Sequence, residues 1–141
     1  MRGRNKGGAM GVKPELAFDV CWEVYRNARE VLDSKRGISA LNMKDTGRFL
    51  WRPDIRPRLN EWVADFALAG QKALESPEVA SRMALFRAYY LGMAPYERAR
   101  YFLGLSEMGW VNWTEEIRRL CGKEFLRRRM FPPRKYLRDV I

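Results

Sequence analysis

Nowhere in this chain do apolar and polar residues alternate with a period of two, whereas apolar residues keep returning at helical spacing. Strands need the first pattern and amphipathic helices the second. The reading is therefore all-α: a small bundle of about five helices, counted from the periodic segments. The material for a core is present, since 47% of the 141 residues are apolar and 13% aromatic.

Proline and glycine mark the boundaries. Pro14 suits a first helical position, and Gly37 an end, just after Lys35 and Arg36. Between them Leu16, Val20, Val24, Ala28 and Val31 form a stripe, widened by Ala17, Cys21 and Leu32. Pro53 and Pro57 interrupt the next stretch, where Phe49, Leu50 and Trp51 make a short apolar plug. A second helix is expected from Pro57 to Leu74, turning Leu59, Val63, Phe66, Ala67, Ala73 and Leu74 inward. Ser76-Pro77-Glu78 is a helix start, and the third helix carries Val79, Met83, Phe86 and Tyr90 to a stop at Gly92. Pro95 opens a short helix, Gly104 turns the chain, and Ser106 caps a final helix expected from Glu107 to Arg129. Pro132-Pro133 should end it and send the tail outward in extended form. The organisation read this way is a disordered basic arm (1–13), a helical region (14–75), a helix-turn-helix region (76–131) and an extended basic tail (132–141).

The composition excludes much chemistry. There is no histidine, so Ser-His and Cys-His nucleophile pairs and imidazole metal sites are absent. Cys21 and Cys121 stand far apart in apolar helical patterns and read as buried thiols rather than a disulfide framework or a zinc site. No phosphate loop and no acidic cluster on an apolar helix face is present, so no cofactor, no metal and no enzymatic activity are expected. No apolar run is long enough to cross a membrane, and none follows the basic N-terminus as in a signal peptide. A cytoplasmic, nucleoid-associated location is expected. The formal charge of +10 favours polyanionic partners.

Two helices joined by a glycine turn form the helix-turn-helix pattern, in which the second helix buries an inner face and offers an outer face to the major groove. Here Ala99 and Leu103 can face the second helix, Gly104 makes the turn, and Trp110 and Trp113 take the places of buried anchors, with Ile117, Leu120 and Cys121 continuing that side. The outer face then shows Glu107, Met108, Val111, Asn112, Glu115 and Arg118. Past it, Arg119, Lys123, Arg127, Arg128 and Arg129 would hold phosphates, within a stretch from Arg118 to Arg138 whose charged residues are basic except for Glu124. Phe131 and Tyr136, interleaved with the tail cations, could instead dock the tail onto the body.

From "ALFRAYYLGMAPYERARYFLGLS" through "WTEEIRRLCGKEFLRRR", residues 84–129, the chain resembles region four of the bacterial sigma factors. The likeness lies in an apolar helix ending in Leu-Gly, a short helix, a Leu-Gly-Leu-Ser turn and a helix running into basic residues. The layout is also similar to phage late-gene transcription activators of the ArpU/RinA type. Two departures stand out: Arg100 occupies a position where the family carries alanine, and two tryptophans replace aliphatic anchors. The resemblance implies a DNA-binding transcription regulator with duplex DNA as partner, and it makes RNA polymerase and a second copy of the chain further candidates. An RNA-binding or phage packaging protein, and a helical protein-interaction module, are the alternatives.

Overall fold

A computed structural model describes residues 11–33 and 56–138. These residues form α1 (Pro14–Asp33), α2 (Arg56–Ala73), α3 (Met83–Leu85), α4 (Tyr96–Leu103), α5 (Glu107–Arg127) and α6 (Pro133–Arg138), with no strand among them. A 3-10 segment (Pro77–Arg82) precedes α3 and a π-helical segment (Phe86–Leu91) follows it, so residues 77–91 wind continuously but at three pitches. The expected plug at Phe49–Trp51 and the expected end at Gly37 lie outside the described residues.

The bundle is built on α5, which packs along α1 and against α2, while α1 and α2 also meet. Close approach is possible because α5 carries Cys121 and Gly122 on its inner side. A Cβ added at Gly122 would lie 1.9 Å from the Pro14 carbonyl oxygen, so the start of α1 rests directly on α5 backbone. Gly70 of α2 does the same for Phe86, whose ring would stand 2.1 Å from an added Cβ. Phe66 is the centre of the aromatic core, 4.9 Å from Phe125, 4.7 Å from Tyr25 and 5.9 Å from Phe18 between ring centroids.

The inward faces differ in detail from the sequence expectation. On α1 the buried positions are Ala17, Phe18, Cys21, Val24, Tyr25, Ala28 and Val31, whereas Leu16 is 54% exposed. A stripe read through Leu16 and Val20 is rotated from the true one, because the two aromatic rings dominate the area buried. On α2, Trp62 and Ala69 are buried while Val63 and Ala67 are half-buried. The helix reads i, i+3, i+7 from Leu59, and fully buried Trp62 takes the place assigned to Val63.

The π segment ends where α1 supplies donors. The last carbonyls of a helix have no partner of their own. Trp22 Nε1 donates to the Tyr90 carbonyl (3.0 Å), and Tyr25 Oη to that of Leu91 (2.8 Å). Arg29 donates to the same Leu91 carbonyl (3.0 Å) and to Tyr25 Oη (2.8 Å). A cation at a helix C-terminus is also favoured by the helix dipole.

The tail is not extended. Pro133 opens α6 at the position where proline costs a helix nothing, and Pro133 and Leu137 are buried. Tyr136 stands edge-on to Trp62 at 4.9 Å and its hydroxyl donates to Asp65. Arg58 donates to the Tyr136 carbonyl (2.9 Å) and lies over its ring. The aromatic docking alternative is the one the chain adopts.

Candidate nucleic-acid interface

α4 and α5 are joined by a turn built as its residues dictate. Gly104 sits at φ 69°, ψ 30°, the left-handed conformation that costs glycine least. Its N–H donates to the Tyr101 carbonyl (3.1 Å), and that of Leu105 to Arg100 (3.1 Å). Ser106 is extended, and its hydroxyl accepts from the Gly109 N–H (2.9 Å), as an N-cap does. Arg100, where the sigma-like pattern has alanine, braces this turn: its guanidinium donates to the Leu105 carbonyl at 3.0 Å.

Ala99 is buried, and Leu103 packs at the edge of the core. The more extensive contacts of α4 are with α3 and the π segment rather than with α5. The two tryptophans also part company. Trp110 is buried at 7% exposure, edge-on to Tyr89 (4.9 Å) and Tyr96 (5.0 Å). Trp113 is only half-buried and carries the Arg82 guanidinium 4.7 Å above its ring. One anchor is a pin. The other is a ledge, its ring covered on one side by the Arg82 guanidinium.

On the outer side of α5, Glu107, Met108, Val111, Asn112 and Glu115 are exposed. Arg118 is not free among them. It is half-buried and donates twice to Asp19 of α1, at 2.9 and 2.7 Å, which raises its own pKa. Its fork is occupied, so it differs from the open reader expected. Arg82 is likewise held by Glu116 at 2.8 Å. Arg82, Glu116 and Arg118 line an open cleft of about 500 Å³ with Glu15, Asn112, Glu115 and Arg119, where three guanidiniums face three carboxylates.

The second half of α5 differs. Arg119 and Lys123 are exposed, and so is Arg127. The last helical residue is Arg127; Arg128 caps the helix and Arg129 adopts φ 62°, so the helix stops short of the expected Arg129. Glu124 accepts from Arg127 (3.2 and 2.6 Å) and from Arg128 (2.6 Å), and those hydrogen bonds hold its carboxyl down to about 2. Arg129 is exposed, as are Arg134, Lys135 and Arg138 around α6. Sequence reasoning left Tyr101 and Phe102 unassigned, although helical spacing from inward Ala99 and Leu103 points both away from the core; they are 88% and 80% exposed.

Among the described residues no group of His, Cys, Asp or Glu could hold a metal ion. Both thiols are buried and pushed up by desolvation. No helix among the described residues is long and apolar enough to cross a membrane. Comparison with protein-family models, with curated proteins and with solved structures finds no match.

Proposed function

We propose that the chain is a non-enzymatic DNA-binding protein, a transcription regulator that grips duplex DNA mainly through its phosphates. One observation carries this reading: exposed cations on one face of α5, Arg119 and Lys123 at four-residue spacing, with Arg127 one turn further on and shared with Glu124. Residues four apart share a helix face. The three span roughly 12 Å along α5, and duplex DNA offers a negative charge about every 1.7 Å of axis. The only carboxylate between Arg118 and Arg138, Glu124, is already taken up by two arginines.

Base reading has less to work with. Glu107 and Glu115 repel phosphates, Met108 and Val111 offer only apolar contact, and Arg118 is held by Asp19. Asn112 is the exposed side chain on that face suited to an adenine edge. Affinity should therefore exceed specificity.

The test is a titration of labelled duplexes across salt concentrations, with structured RNA as competitor. Combined Arg119→Ala, Lys123→Ala and Arg127→Ala should weaken binding to every duplex by a similar factor. The slope of log K against log salt should flatten by up to about 0.9 for each phosphate that is no longer neutralised. Asn112→Ala should alter preference among sequences and leave the slope alone. Unchanged affinity and slope in the triple variant would exclude the proposal, and RNA outcompeting duplex would favour the RNA-binding alternative.

A further inference from the structure

Arg118 and Arg119 are neighbours on α5 and line one cleft, yet they are held differently. Arg119 is exposed and takes part in none of the ion pairs among the described residues. Arg118 reaches toward α1 and donates through Nε and Nη2 to the two carboxylate oxygens of Asp19, at 2.9 and 2.7 Å. Glu15, one turn before Asp19 on α1, lines the same cleft. α1 thus brings two carboxylates to this flank of α5.

The Arg118–Asp19 pair is open to water: the side chain of Asp19 is 48% exposed and that of Arg118 is 30% exposed. Such a pair contributes little to stability, because solvent and salt screen it and two side chains lose freedom in making it. The packing of α1 on α5 has other supports, namely the contact of Pro14 with Gly122 and the stacked rings of Phe18 and Phe125. Arg118 can therefore leave Asp19 without disturbing the bundle. A carboxylate also offers a guanidinium the same bidentate pair of anionic oxygens that a phosphate does.

We infer that Asp19 competes with the DNA backbone for Arg118, so that the fold itself withholds one cation from the phosphate grip. The inference rests on the DNA-binding reading above and adds to it a residue on α1 that limits affinity. While paired, Arg118 and Asp19 are neutral together, so Arg118 releases no counterion when duplex binds. Freed, it stands beside Arg119 and extends the set of cations that meet phosphates.

The duplex titration across salt concentrations provides the test, with Asp19→Asn as the variant, since it keeps the shape of the side chain and removes its charge. Asp19→Asn should bind every duplex several-fold tighter, and the slope of log K against log salt should steepen by up to about 0.9. Far-ultraviolet circular dichroism should be unchanged, because the pair is exposed. Removing any carboxylate favours a polyanion, so Glu23→Gln is the control. It makes the same change of net charge one turn along α1, at an exposed residue that joins none of the ion pairs among the described residues. Its gain should be clearly smaller than that of Asp19→Asn. Adding Arg118→Gln to Asp19→Asn restores the original net charge and should return both affinity and slope to those of the native chain. If the native chain passes the triple-variant test above while Asp19→Asn gains nothing, or no more than Glu23→Gln, this inference alone is overturned. If the native chain fails that test, the DNA-binding reading falls and this inference with it.

Discussion

Trp110 and Trp113 stand three residues apart on one helix, yet their surroundings assign them different energies. Trp110 is enclosed by Tyr89 and Tyr96, so Trp110→Ala should cost about 3–5 kcal/mol in a urea titration. Trp113 is half-buried beneath Arg82, so Trp113→Ala should lose mainly a partly exposed cation–π interaction and some area, about 1–2 kcal/mol. Equal costs would contradict the packing. Glu124 gives the second residue-scale prediction. Hydrogen bonds from Arg127 and then Arg128 hold its carboxyl down to about 2 from an ordinary value of 4.5. The unfolded chain therefore binds the proton more readily than the folded one. The stabilisation is full above pH 4.5 and is lost as pH falls toward 2. In Glu124→Gln the acid limb of the stability curve should flatten across that window. An unchanged limb would mean that the two arginines are solvated rather than paired.

At the scale of elements, the contact between α1 and α5 depends on a missing side chain. With the Pro14 carbonyl 1.9 Å from where a Cβ would stand, Gly122→Ala forces α1 away from α5, and the neighbour is backbone that cannot rotate aside. Overpacking of this kind costs about 1–3 kcal/mol or more. Gly104→Ala meets nothing within 4 Å and bears only the strain of its φ of +69°, about 1–2 kcal/mol. Denaturant midpoints should rank Gly122→Ala below Gly104→Ala, and the reverse order would place the α1–α5 contact elsewhere. The same helix shows that an element can hold two roles. The inner face of α5 is core from Trp110 to Phe125, while its outer face passes from apolar and acidic to basic along its length.

For the molecule as a whole, a formal charge of +10 opposes compactness while favouring polyanions. Moderate salt should therefore act in opposite directions on two measurements. It should raise the melting temperature, on the order of a few degrees, by screening self-repulsion. It should weaken duplex binding by restoring the counterion penalty. A melting temperature that falls with salt would mean that the ion pairs Arg118–Asp19 and Arg82–Glu116 outweigh the net charge. The helical class, the boundaries at Pro14 and Gly92, the turn at Gly104 and the cap at Ser106 were legible in the sequence because each depends on residues within a turn or two of one another. The pairing of Glu124 with Arg127 and Arg128 was equally local, at three and four residues, and could have been read there. Phe18 and Tyr25 keep the helical period of Cys21 and Ala28, and Trp62 that of Leu59 and Phe66, so their inward positions could also have been read there. Tertiary structure alone decided that Arg118 is held by Asp19 ninety-nine residues away and that α6 folds back onto Trp62. Those outcomes depend on which side chains meet across the bundle, and partners so distant in the chain leave no period in the sequence by which to find them.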